Sequence, residues 1–241
     1  MQTKNTHTGN AASTELTAQL KLELKKKQLK KEMLRKFVHL LELPVLLAYT
    51  VVSHLYGDKL GILLLTALLI ILLEIEYIRL EYKLSLPMVV DILRRKERDN
   101  IAGNIFFVAS TIICVAAFDY QIAILALLFT VFGDLMAALI GIRFGRKKIF
   151  KNKTLEGFLA GFLANLLIGY LLIPDQAQVY VPMALTASLV ELWTGKLDDN
   201  LTVPLAAGFV GQLLIFYWQI QLTSFPGPLV NWLIHLVPMF S

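Results

Sequence analysis

The sequence is poor in charge. Only 17% of its 241 residues are Asp, Glu, Lys or Arg, against 56% hydrophobic. A soluble domain carries roughly a quarter charged residues, so a water-facing globular surface is excluded for most of the chain. Cysteine is nearly absent too. The single Cys114 cannot close an intramolecular disulfide or build a zinc site alone, and its apolar neighbours predict a small buried side chain. No internal repeat and no low-complexity stretch is present. Gly141–Lys148 lacks P-loop spacing, which excludes that kind of phosphate cradle.

What the sequence has instead is long apolar runs. Leu60–Leu73 is uncharged over fourteen positions and Gln121–Gly133 over thirteen. A bilayer core takes about 20 helical residues to cross, and runs of this kind recur at suitable intervals. They predict an all-α, polytopic integral membrane protein with about seven transmembrane helices, at roughly 37–55, 60–82, 102–118, 121–142, 157–173, 179–195 and 203–222. Residues 1–36 read as a polar tail and a basic amphipathic helix. Leu16, Leu20 and Leu24 fall at i, i+4, i+8, and eight Lys or Arg lie between Lys21 and Lys36. Such a helix suits the surface of an anionic leaflet, so anionic lipids are expected partners there. Residues 37–222 form the transmembrane domain. Residues 223–241 form a short apolar tail, with Pro226, Pro228 and Pro238 along it. The first apolar run starts far from Met1, so it is expected to be a retained helix rather than a cleaved signal.

Basic residues are distributed unevenly along the chain. Of 23 Lys and Arg, only Lys59 falls between the predicted helices on one side. The positive-inside rule then puts the N-terminus, and the loops after the second, fourth and sixth helices, in the cytoplasm. Topology accounts for the net charge of +5, and no nucleic-acid partner is implied.

Carboxylates in hydrocarbon cost about 2.5–3.5 kcal/mol by insertion scales, so each needs a reason. Asp134 closes the apolar run in Phe-Gly-Asp-Leu. Glu191 interrupts the sixth helix near its end, and Asp198, Asp199 and Asn200 follow in the next turn. Glu156 opens the fifth helix in Lys-Thr-Leu-Glu-Gly. All are expected on one membrane face, at the ends of their helices. They lie beside Arg143, Arg146, Lys147, Lys148, Lys151 and Lys153. Carboxylates with cations suit a nucleoside triphosphate and its Mg²⁺, which takes one or two carboxylates and completes its shell with phosphate oxygens. Asp134, Glu191, Asp198 and Asp199 are the candidate metal ligands. Arg35, Lys36 and His39 open the first helix at the same face. Two glycine spacings, Gly141-x-x-x-Gly145 and Gly157-x-x-x-Gly161, also suit close helix packing. Glu76 can pair with Arg79.

Several segments together resemble the family of dolichol kinase, phytol kinase and CTP-dependent diacylglycerol kinase. They are Arg35-Lys-x-x-His39, Arg95-Lys-Glu97 with Gly103, and Gly133-Asp134-x-x-Ala137 with Gly141 and Phe144-Gly-Arg-Lys. Lys153-Thr-x-Glu156-Gly157 follows, and then Glu191 with Asp199-Asn-Leu-Thr-Val-Pro204. The resemblance covers about residues 33–210 and implies phosphoryl transfer from CTP to the hydroxyl of a lipid alcohol. Asp134, Glu191, Asp199 and His39 are then expected in catalysis. Arg35, Lys36, Arg146, Lys147, Lys148, Lys153, Thr154, Glu156, Gly157 and Asn200 are expected to bind the nucleotide. The related phosphatidate cytidylyltransferases carry His-Gly-Gly and Asp-Arg-x-x-Asp elements, and neither occurs here. A transporter would place ionisable groups near the bilayer midplane at broken helices, rather than at helix ends.

Overall fold

The computed structural model describes residues 19–20, 23, 40–82, 100–151, 153–194 and 197–222. Among these, seven helices and one two-stranded hairpin form the molecule. In chain order they are α1 (Glu42–Tyr56), α2 (Asp58–Glu81), α3 (Gly103–Ala117), α4 (Tyr120–Phe144), β1 (Lys148–Phe150), β2 (Lys153–Thr154), α5 (Leu155–Leu172), α6 (Ala177–Trp193) and α7 (Asp199–Trp218). The helices fall on the seven expected apolar segments. Four of them, α2, α4, α5 and α7, are long and apolar enough to cross a membrane. The others, α1, α3 and α6, are shorter, with 15, 15 and 17 residues. Gln19, Leu20 and Glu23 are helical; the rest of the basic N-terminal segment, with Arg35, Lys36 and His39, lies outside the described residues. So do Arg95, Glu97 and the C-terminal tail from residue 223.

The centre of the bundle is α4, which is apolar on every side. One of its faces packs Ile122, Leu125, Ala126 and Phe129 against Met183 and Ala187 of α6 and Val203 and Ala207 of α7. Its other face packs Ala123, Leu127 and Val131 against Phe107 and Cys114 of α3 and Leu46 of α1. Cys114 is fully buried, as its surroundings predict. A helix apolar all round is stable only where no side meets water.

The two faces of α5 differ. Leu159, Leu163, Leu167 and Leu171 are exposed at four-residue spacing, as a lipid-facing stripe would be. Gly157, Gly161, Asn165 and Gly169 are buried at the same spacing on the other side. A Cβ on Gly157 would lie 2.7 Å from the Ala137 carbonyl oxygen, and one on Gly161 would lie 3.0 Å from that of Gly133. The glycine spacings are therefore a seam along which the α4 and α5 backbones touch.

The chain turns between α1 and α2 at Gly57, whose φ of 92° favours glycine. At the other end of α2, Arg79 Nε donates to Glu76 at 2.7 Å, and the Ala102 N–H donates to Glu76 at 2.7 Å. The expected ion pair thus also fastens the start of α3.

The connection between α4 and α5 departs from the expected loop. The fourth helix runs on to Phe144, the fifth starts at Leu155, and the antiparallel hairpin β1–β2 fills the gap. Ile149 and Phe150 favour a strand, while Thr154 stops the hairpin by capping α5. Its side-chain oxygen accepts the Gly157 N–H at 3.3 Å.

Candidate active site

Helices α4 to α7 pack as antiparallel neighbours, so the end of α4, the hairpin, the start of α5, the end of α6 and the start of α7 share one end of the bundle. Arg143, Arg146, Lys147, Lys148 and Lys151 are exposed there. The hairpin is held from three directions. The Leu155 N–H donates to the Lys147 carbonyl at 2.8 Å. Strand pairing joins Lys148 to Thr154 and Phe150 to Lys153. The Glu156 carboxylate accepts the Arg146 N–H at 3.0 Å and the Lys147 N–H at 3.3 Å. Lys151 turns the hairpin with a left-handed φ of 50°.

Lys153 reaches across to α6. Its Nζ lies 3.3 Å from Glu191 Oε1 and also donates to the Glu191 main-chain carbonyl. Glu191 is 9% exposed, so a nearly buried carboxylate sits against the root of the cationic hairpin. This link joins residues 38 apart in sequence.

The start of α7 is fixed by its own polar residues. Asp198 caps the helix, accepting the Asn200 N–H at 3.2 Å. The Asn200 amide donates to the Gly103 carbonyl at 3.0 Å, and its own carbonyl accepts from Ser110 at 2.8 Å. Asp198 and Asn200 are buried and serve the α7–α3 junction, which leaves Asp199 as the half-buried carboxylate of the motif.

Asp134 is not at the end of its helix, as the sequence led us to expect. It lies ten residues before Phe144, about 15 Å along the axis. The apolar Leu135–Ile140 continue α4 beyond it. Depth along the bundle nevertheless aligns it with α7. A Cβ on Gly211 would touch Ile122, so those residues are level. Counting twelve residues from there along the antiparallel pair brings Asp134 on α4 and Asp199 on α7 to comparable heights. Both are half-buried. A second level mark lies close by. The Asn165 amide touches Gly133, the neighbour of Asp134, and donates to Ser188 at 3.4 Å. Ser188 is one turn before Glu191. Asp134, Asp199 and Glu191 therefore lie at similar depth, with the hairpin above them.

Among the described residues no cluster of three or more His, Cys, Asp or Glu forms a ready-made metal cage. Asp134 and Asp199 are half-buried carboxylates on packed helices, the donor type that Mg²⁺ takes when phosphate oxygens complete its shell. Glu191 also pairs with Lys153, and Asp198 also caps α7.

Sequence reasoning missed three features of the site. The hairpin was one, although the β-favouring pair Ile149 and Phe150 was a weak strand signal. The Lys153–Glu191 link was another, and nothing in the sequence signalled it. The third was Asn165, 1% exposed and with no hydrogen-bond partner for its Oδ1 among the described residues. It could have been found as the one amide on the α5 glycine face.

The fold and its charged end define a helical protein with membrane-length helices and an ionisable site at one end of the bundle. Comparison with known proteins adds to this. A region of the chain is 34% identical over 138 residues to a protein of Triticum aestivum named as a probable chloroplastic phytol kinase, covering 49% of this chain and 46% of that one. Another match is 26% identical over 144 residues to a CTP-dependent diacylglycerol kinase of Schizosaccharomyces pombe, covering 52% of this chain and 65% of the relative. An uncharacterized protein of Methanocaldococcus jannaschii is 33% identical over 131 residues, covering 52% of this chain and 66% of its own length. The matches thus span between about half and two thirds of these relatives. No family model matches the chain. No solved structure matches it either.

Proposed function

We propose that this protein is a CTP-dependent lipid kinase of the membrane, transferring a phosphoryl group to the hydroxyl of a lipid alcohol. The observation that carries the proposal is the meeting of a cationic hairpin with carboxylates at one depth, through Lys153 on Glu191 and the level pair Asp134 and Asp199. Phosphoryl transfer needs this division of labour. Cations hold the phosphate oxygens, and carboxylates hold the metal that bridges them. The relatives with named activities are lipid kinases, one of them CTP-dependent by name, which supports the nucleotide and the acceptor class.

In this reading Lys147, Lys148 and Arg146 cover the phosphates from the hairpin, and Lys153 sits at its root. Asp134 and Asp199 hold Mg²⁺, which when bound offsets the charge on the bridging phosphate oxygens. Thr154 and Gly157 shape the start of α5 beneath the hairpin. A lipid alcohol, polyprenol, phytol or diacylglycerol in class, reaches this level from the bilayer with its tail along the apolar helix faces. A carboxylate at the same depth takes the hydroxyl proton as the new O–P bond forms and the bond from the transferred phosphorus to the bridging oxygen breaks, leaving CDP. Arg35, Lys36 and His39 are assigned to the same end by the resemblance alone.

The test is direct. Purified protein in detergent, offered labelled CTP and a panel of lipid alcohols, should release CDP and a lipid monophosphate. Pyrophosphate with a CDP-lipid would make it a cytidylyltransferase instead. No turnover with any alcohol, in the presence of Mg²⁺ and either CTP or ATP, would sink the kinase reading.

The proposal includes seven crossings with the basic end in the cytoplasm. In a Cys114→Ala background, Lys148→Cys should react with an impermeant thiol reagent only after the cytoplasmic side is opened. Asp175→Cys, at the far end of α5, should react from outside. Labelling of both from one side would end the seven-crossing arrangement.

A further inference from the structure

We infer that Glu156 is a positioning residue that anchors the hairpin backbone and contacts neither metal nor nucleotide. The inference rests on the proposal that the hairpin covers the nucleotide phosphates. Glu156 Oε2 accepts the N–H of Arg146 at 3.0 Å and that of Lys147 at 3.3 Å, while Oε1 also lies 3.3 Å from the Lys147 N–H. A carboxylate offers about four lone-pair sites, and three are directed at the hairpin. Two successive backbone N–H groups converging on one anion make a small anion-binding concavity, and here the chain fills it with its own side chain.

The site of the anchor explains its use. Arg146 and Lys147 leave α4 just after Gly145, where a Cβ would lie 2.7 Å from Thr154 Oγ1. The chain passes this point close to α5 and then turns outward into β1. Glu156 stands in the first turn of α5, opposite the turn, and fixes the direction in which Arg146, Lys147 and Lys148 depart. Lys147 is held a second time through its carbonyl, by the Leu155 N–H at 2.8 Å. With the carboxylate removed, the exposed cations would search many orientations, and ordering them would fall to the nucleotide. The cost would appear in nucleotide affinity rather than in the transfer step.

This role depends on reach more than on charge. A single oxygen, Oε2, already serves both N–H groups, so the one carbonyl oxygen of Gln at position 156 can do the same. Asp keeps the charge but is one methylene short. A metal ligand or general base would rank the other way, with Asp better than Gln.

The experiment compares Glu156→Gln, Glu156→Asp and Glu156→Ala in the full chain in detergent. It measures amide hydrogen exchange at residues 146 and 147 together with KM for CTP and kcat at saturating lipid. Glu156→Gln should keep the protection of the wild type and a KM within about threefold. Glu156→Asp and Glu156→Ala should lose protection and raise KM about tenfold or more, with kcat changed less than about threefold. The anchor is overturned if Asp outperforms Gln, or if Gln keeps protection while kcat collapses. Equal protection in all three variants overturns it as well. A wild-type protein without turnover would sink the kinase reading alone, because the exchange ranking still decides the anchor. Should Glu156→Ala fail to fold, the order of Gln and Asp remains decisive.

Discussion

Asp134→Asn is expected to abolish phosphoryl transfer while the protein stays folded. The amide has nearly the size of the carboxylate and is cheaper to hold in a low-dielectric bundle, so a purely structural Asp134 would tolerate it. A metal-holding Asp134 would not, because the neutral oxygen lacks the anionic charge that binds Mg²⁺. Several kcal/mol of transition-state stabilisation are then lost, on the order of a thousandfold or more in rate. Asp175→Asn is the control, since Asp175 is exposed at the opposite end of the bundle. Turnover should be measured with lipid and nucleotide both saturating, alongside the thermal midpoint. An Asp134→Asn protein that keeps more than about a tenth of wild-type turnover removes Asp134 from the site.

The second large effect is on folding. Gly157→Leu should open the seam between α4 and α5, because the position faces the Ala137 carbonyl oxygen and the Gly141 Cα rather than a movable side chain. Overpacking of this kind costs about 3 kcal/mol, and contact with backbone puts this case at the upper end. A fall of roughly 10 °C in thermal midpoint should follow, with loss of monodisperse protein in detergent. Leu163→Ala, on the exposed face of the same helix, should leave both nearly unchanged. If Gly157→Leu were as stable as wild type, the two backbones would not be in contact.

The sequence carried the helices well and the site in part. Apolar runs located all seven helices because composition alone distinguishes them from the short polar turns. It did not show that α1, α3 and α6 are shorter than the other helices, since their ends depend on caps and turns. The ionisable residues stood out because charge is scarce here, and α4, α6 and α7, which carry Asp134, Glu191 and Asp199, pack together. Their partners were not legible. That Asp198 caps α7, that Asn200 holds α3, and that Glu156 faces the hairpin backbone are facts of tertiary geometry. Asp134 looked terminal because it interrupts the apolar run, although Leu135–Ile142 resume it and the helix runs ten residues further, to Phe144.

The seam also bears on how such a site can move. Where two helices meet through backbone, there is no side chain between them to change rotamer, and their spacing behaves as a fixed length. The strut that carries Asp134 and the one that carries the hairpin are therefore locked together. On the other side, α4 meets α6 and α7 through Ile122 and Met183, and a thioether with three rotatable bonds yields easily. Any opening that admits a lipid to the level of Asp134 should run along that compliant side, with α6 and α7 shifting against a rigid α4–α5 pair.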